Sequence, residues 1–151
     1  MQATWDRDSE TVADILDAVH SENTSILTYN DENSLSCVIS LAYYNAMKEY
    51  TKIRELQTGC KTSGGRLFCT DRSGTETGFA DMVYLPKKHS DKPAMIVELK
   101  YDKSDKGAIA QIKEKRYVES LKEYHGNLLL IGINYDKTSK KHTCVIEKWN
   151  V

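Results

Sequence analysis

Apolar residues recur along the chain at two spacings, about 3.6 in some stretches and about 2 in others, and the changes of spacing mark out the elements. Residues 10–20 (ETVADILDAVH) set Val12, Ile15, Leu16 and Val19 on one stripe, which predicts a short amphipathic helix with an acidic outer face. The polar linker 21–30 ends in Asn30, a good N-cap, and a longer helix is expected from about Asp31 to Tyr50. Leu35, Ile39, Tyr43, Ala46 and Tyr50 share one face of that helix, with Glu32 on the same face near its start. There Glu32 either favours the positive end of the helix dipole or directs a carboxylate along the core side.

A short strand is expected around 53–56. Residues 58–78, rich in Gly, Ser and Thr and carrying Lys61, Arg66 and Arg72, read as a long loop or an extended hairpin arm, with Leu67 and Phe68 as its packing residues. Strand chemistry returns in 79–85 (FADMVYL), 94–101 (AMIVELKY) and 128–135 (LLLIGINY). The first two are joined by a polar turn bounded by Pro86 and Pro93, which predicts a hairpin. Residues 107–124 have strongly helical composition and connect the last two, so a parallel pair with a right-handed crossover is expected. The alternating segment 142–149 closes the chain as an edge strand. The order is α, α, β, β, β, α, β, β, an α/β fold with a mixed central sheet flanked by helices.

The length of 151 residues suits one core, and 40% hydrophobic with 28% charged residues is the composition of a globular protein. No apolar run approaches the roughly 18–20 residues that span a bilayer, and no basic region followed by an apolar one opens the chain, so a cytoplasmic protein without a membrane partner is expected. Cys37, Cys60, Cys69 and Cys144 form neither a CxxC pair nor a zinc-spaced cluster with His. Cys37 and Cys144 lie in apolar segments and are expected as buried, inert thiols, whereas Cys60 and Cys69 bracket a Gly-rich loop and could pair under oxidant. The net charge of −1 hides an asymmetry: residues 1–33 hold eight acidic side chains against Arg7 alone, and the rest hold 20 Lys and Arg against 14 Asp and Glu. That basic excess suits a phosphate-bearing partner without requiring one.

Two strands carry charges where apolar residues are the rule. In AMIVELKY, Met95, Val97 and Leu99 face one way and Ile96, Glu98 and Lys100 the other, so an acid and a lysine share a face near the strand's end. They form an ion pair at the sheet's edge, or they are used, because burying them idle costs desolvation free energy. In the preceding strand Phe79, Asp81 and Val83 alternate with Ala80, Met82 and Tyr84, leaving Asp81 a lone carboxylate among hydrophobics. Pairing of the two strands lets Asp81 and Glu98 converge on one hard cation such as Mg²⁺, which needs few protein oxygens. A site of that kind activates water and neutralises phosphate.

The run Gly78-Phe79-Ala80-Asp81, then Val97-Glu98-Leu99-Lys100, then a helix carrying Gln111, resembles the PD-(D/E)XK phosphodiesterases, and most closely the nuclease-like domain at the C-terminus of bacterial predicted AAA-type ATPases. The likeness spans about 22–149 and includes Asn33-Ser34-Leu35, Gln111-Ile112 and Tyr117. It implies a restriction-endonuclease-like αβββαβ core over 22–151, preceded by an acidic helical segment, 1–21, packed on or linked to it. It further implies that Asp81 and Glu98 bind Mg²⁺ or Mn²⁺ with the main-chain oxygen of Leu99, that Glu32 assists, and that Lys100 orients the attacking water and stabilises charge on phosphate. Gln111 and Lys115, four apart on one helical stripe, border the site in this resemblance: Gln111 holds a phosphate or a water, and Lys115 meets the nucleic-acid backbone. Tyr117 is expected to pack in the core.

The chain departs from those relatives at 60–77, about 18 residues where they have a short turn. The insertion is either a tolerated surface loop or an arm gripping substrate through Lys61, Arg66 and Arg72. The implied activity is metal-dependent cleavage of nucleic acid, DNA first, with a fused or associated AAA-type ATPase and a homodimer as candidate partners. The competing expectation is a non-cleaving module that binds nucleic acid or protein beside an ATPase.

Overall fold

The computed structural model describes residues 1–23, 32–57, 60–63, 66–69, 79–87, 90–115 and 117–150. In chain order its elements are α1 (Gln2–Trp5), α2 (Ser9–Asn23), α3 (Glu32–Ala42), a 3-10 turn (Tyr44–Lys48), β1 (Tyr50–Gln57), β2 (Cys60–Ser63), β3 (Arg66–Cys69), β4 (Phe79–Pro86), β5 (Ala94–Tyr101), α4 (Asp105–Glu114), a second 3-10 segment (Tyr117–Tyr124), β6 (Leu128–Asp136) and β7 (Lys141–Lys148). Five strands form one mixed sheet in the order β1-β4-β5-β6-β7, with only β5 and β6 parallel and α4 as their connection. The hairpin β4–β5, the parallel pair and the edge position of β7 are as the hydrophobic pattern predicts. Among the described residues, no helix is long and apolar enough to cross a membrane.

Each sheet face buries its own core. Val12 and Leu16 of α2 and Leu35 and Ile39 of α3 pack on Met82, Met95, Val97, Leu99, Ile131 and Ile133. On the opposite face Ile109 and Ile112 of α4, with Tyr117 and Leu121, cover Val83, Ile96, Leu128 and Leu130. Each fully buried Leu or Ile contributes about 1.5–3 kcal/mol, so these two layers hold the sheet between helices. The N-terminal helices are tied down by polar contacts as well. Asp8 caps α2 by accepting the Thr11 N–H (3.0 Å), and Asp17 accepts both the main-chain N–H (2.9 Å) and the Nδ1–H (2.7 Å) of His142 on β7. Trp5 Nε1–H donates to the Tyr50 hydroxyl (2.9 Å), which itself donates to the Pro93 carbonyl (2.9 Å).

Three expectations need correcting. The helix expected to reach Tyr50 stops at Ala42 and tightens into the 3-10 turn, because β1 starts at Tyr50, opposite Pro86, rather than near Ile53. The predicted face is kept all the same, for Leu35, Ile39, Tyr43, Ala46 and Tyr50 are all buried. The single helix expected over 107–124 breaks after Glu114, and Leu121 has non-helical backbone angles. In an unbroken helix Tyr117, Val118 and Leu121 would lie about half a turn round the axis from Ala108, Ile109 and Ile112. Only a break buries both sets on the same side of the sheet. The third correction is Cys37, which is exposed on α3, whereas Cys144 is buried as expected. Of the two readings of 58–78, the hairpin arm is present, β2 against β3, with Cys60 opposite Cys69 in register and β2 running alongside 117–124. The rest of that stretch lies outside the described residues, as does Asn30.

Candidate active site

The site forms where two strands part. The β4–β5 ladder pairs Tyr84 with Met95, Val83 with Ile96 and Met82 with Val97, and one further step would set Asp81 opposite Glu98. At that step the Asp81 side chain takes over: its Oδ2 accepts the main-chain N–H of Leu99 at 2.7 Å. A carboxylate thus satisfies a donor that a continuing ladder would have paired, and the strands are free to separate without an orphaned amide. The same point interrupts the expected alternation on β4. Met82 belongs to the α3-side core, yet Ala80 joins Val83 in the α4-side core, as does Leu56 of β1, which pairs with Ala80. Between Arg54 and Leu56, across from Asp81, Glu55 has φ of 54°, a left-handed conformation disfavoured for a non-glycine residue.

On β5 the predicted alternation holds: Leu99 packs toward α3, and Glu98 turns toward α4. Glu98 is 1% exposed. Its Oε1 receives the Lys100 ammonium at 3.2 Å and a hydrogen bond from Gln111 Nε2, whereas its Oε2 is buried with no hydrogen-bond partner among the described residues. Gln111 reaches it because α4 lies tight against the sheet. Gly132 of β6 pairs with Glu98, and a Cβ at Gly132 would come within 2.3 Å of the Asp105 carbonyl oxygen and 3.1 Å of the Ala108 Cβ. The start of α4 is held by Ser104, whose hydroxyl accepts the Gly107 N–H at 3.3 Å. Tyr117 is buried as expected and donates its hydroxyl to the Phe79 carbonyl (2.7 Å), fixing the first residue of β4.

Electrostatics set the two acids apart from ordinary carboxylates. Burial and then the Asp81 charge push the Glu98 carboxyl up to about 7, with Lys100 pulling the other way. Asp81 is also raised, chiefly by burial, while the Leu99 N–H and Lys100 offset part of that and Glu32 adds to it. A buried, unpartnered carboxylate oxygen beside a second carboxyl is a place where a cation relieves both desolvation and repulsion. The donor set, hard oxygens only, fits Mg²⁺ or Mn²⁺.

The remaining predicted residues fall at different distances from this centre. Asp81 and Glu32 line a cleft of about 490 Å³ between the sheet and α3, together with Ser36, Arg54, Glu55 and Leu99. Glu32, at the first turn of α3, forms a surface ion pair with Lys103 (3.3 Å), and among the described residues no group of three or more His, Cys, Asp or Glu converges to hold one ion. Lys115 is the C-cap of α4 and returns its N–H to the Gln111 carbonyl at 2.9 Å. Lys61 and Arg66 lie on the β2–β3 hairpin, and Arg72 lies outside the described residues.

Sequence reasoning missed Arg54. Its Nη2 donates to the Ser36 hydroxyl (3.2 Å) on the cleft wall, and its charge acts on Asp81. Nothing local marks it, because only the β1–β4 pairing, which sets Arg54 opposite Met82, brings it beside Asp81.

A search of curated proteins finds no match. Among solved structures, the crystal structure of SSO0001 is similar over 92% of this chain and 68% of that one, at 16% identity and a TM-score of 0.33, a likeness too loose to bear on fold or function. A family model of the PD-(D/E)XK nuclease superfamily matches residues 70–149, more than half of the chain and the whole stretch from Asp81 through Gln111. The chain therefore belongs to the PD-(D/E)XK nuclease superfamily.

Proposed function

We propose that this protein is a metal-dependent phosphodiesterase acting on nucleic acid, DNA in the first instance, through Asp81, Glu98 and Lys100. The observation that carries the reading is the Glu98 carboxylate: buried, anchored through one oxygen by Lys100 and Gln111, and near enough to Asp81 for the two negative charges to oppose each other. Asp81 and Glu98 would hold Mg²⁺ or Mn²⁺, with the Leu99 main-chain oxygen as a further ligand and Glu32 at the cleft's edge. When bound, such an ion neutralises phosphate charge and makes water more acidic.

The chain's own groups supply the rest. Lys100, only 12% exposed at its side chain, brings a positive charge to the floor of the site, where it orients the attacking water and stabilises charge developing on phosphate. Gln111 keeps the Glu98 carboxylate in one rotamer, so that the carboxylate is positioned before substrate arrives. Lys115, with Lys61 and Arg66 of the hairpin sequence and Arg72 beyond it, would meet the backbone of the nucleic acid. In this reading 22–151 is the nuclease domain with 60–77 inserted, 1–21 is an acidic segment packed on it, and the protein is cytoplasmic. The resemblance to domains of bacterial AAA-type ATPases extends the proposal to an associated ATPase, and the pairing of nuclease folds of this kind to cut two strands extends it to a homodimer.

Calorimetric titration with Mn²⁺ tests the site. Wild type is expected to bind with loss of affinity of at least about tenfold in Asp81→Asn and Glu98→Gln, as for the removal of one charged ligand. Equal binding by all three proteins contradicts the assignment.

A further inference from the structure

A second groove adjoins the catalytic cleft and shares two of its residues, Ser36 and Arg54. Its volume is about 550 Å³, enough for a nucleotide-sized ligand, and its lining is of a different character. Tyr44, at the start of the 3-10 turn after α3, is 73% exposed, flanked in the groove by Leu41 and Met47, which are also exposed. On the β1 side stand two cations held in place by serines of α3: Lys52 Nζ donates to Ser40 Oγ at 2.9 Å, and Arg54 to Ser36 Oγ at 3.2 Å. An aromatic face that the core does not claim therefore lies across a groove from two fixed positive charges. Arg54 is at once the wall of this groove and a neighbour of Asp81.

We propose that this groove is a subsite for single-stranded nucleic acid, in which a base stacks on Tyr44 while Lys52 and Arg54 hold the phosphates that lead to the cleft lined by Asp81. The proposal rests on the nuclease reading and deepens it by naming the substrate class. The physical grounds are complementarity and continuity. Aromatic stacking combined with cationic grip is how proteins retain an unpaired strand, whose bases expose their faces, whereas a duplex keeps its base faces stacked and offers Tyr44 no partner. Because Arg54 belongs to both cavities, a strand lying in the groove meets the same guanidinium where it enters the cleft. An alternative occupant, a segment of another protein, would use Leu41 and Met47 but would leave the two cations without a counterpart.

The test measures binding of a fluorescently labelled strand of about 12 nucleotides by anisotropy, without divalent metal so that nothing is cut. Deoxy and ribo forms of one sequence are compared with the corresponding duplex. Tyr44→Ala is expected to weaken single-strand binding about tenfold or more, with Tyr44→Trp within about twofold of wild type. Arg54→Gln is expected to lower the salt dependence of binding by about one ion, and Tyr44→Ala to leave that slope unchanged. Tyr44-dependent binding of either strand sustains the subsite and identifies the preferred sugar. Unchanged single-strand binding by folded Tyr44→Ala, or duplex binding as tight as that of the strand, overturns it. If that occurs while metal-dependent cleavage still disappears in Glu98→Ala, the subsite fails and the nuclease reading stands. Tyr44-dependent binding without any cleavage is the converse.

Discussion

At the scale of single residues, Glu98 combines two requirements that pull against each other. Folding buries it, and the proposed site needs its charge. Its carboxyl is held near 7 against an ordinary 4.5, first by burial and then by Asp81, so the folded, metal-free protein binds that proton more tightly than the unfolded chain does. Stability from this group is therefore full below about 4.5 and is lost as the pH rises toward 7. Glu98→Gln removes the titration. In chelator, the variant's melting temperature is expected to exceed that of wild type by more at pH 8 than at pH 5, with Mn²⁺ narrowing the difference at pH 8. A gap that does not change with pH contradicts the assignment of the raised pKa to Glu98. Much of this was legible from the period-two pattern of AMIVELKY, which set Glu98 and Lys100 on one face opposite Met95, Val97 and Leu99. The Asp81 bond to the Leu99 N–H was not, because strand parting at Asp81 depends on neighbours distant in the chain.

At the scale of elements, α4 and α2 are fixed by different means, and each suggests an experiment. The close approach of α4 depends on the absent side chain at Gly132. Gly132→Ala is expected to cost about 1–3 kcal/mol through overpacking and to move Gln111 away from Glu98, so chemical denaturation should show the loss and Mn²⁺ affinity should fall with it. A variant as stable and as metal-competent as wild type would show that α4 is not held by this contact. The anchor of α2 is the Asp17–His142 pair. Burial would raise Asp17, but its bonds to His142 and Lys141 outweigh that and keep it low, while burial lowers His142 despite Asp17. The folded state thus favours neutral His142, and this stability is present above about 6.5 and lost as the pH falls through the histidine range. Asp17→Ala should cost about 2–3 kcal/mol near neutral pH, because two donors of a buried residue lose their acceptor. Element identity and order could be read from hydrophobic spacing. The breaks after Ala42 and Glu114 could not be placed from propensity, since neither contains Pro or Gly. For the second, the opposed faces of Ile109 and Ile112 against Tyr117 and Leu121 carried a signal that counting helix formers overlooks.

At the scale of the whole molecule, a three-layer arrangement brings residues from β1, α3, β4, β5 and α4 to one end of the sheet. Part of the excess of Lys and Arg after residue 33 is gathered here, where Lys52 and Arg54 of β1 bond to serines of α3 and Lys100 shares a Glu98 oxygen with Gln111. The central claim is that Asp81, Glu98 and Lys100 form a metal-dependent phosphodiesterase site. It is tested most directly by the rate at which purified protein cleaves single-stranded and plasmid DNA with Mn²⁺ or Mg²⁺, compared with Glu98→Ala, Lys100→Ala and chelator. Wild type is expected to cleave, to stop in chelator, and to lose about a hundredfold or more of its rate in each variant. Cleavage that persists in chelator or survives both substitutions, or a wild type that cuts neither substrate with either metal, would contradict it.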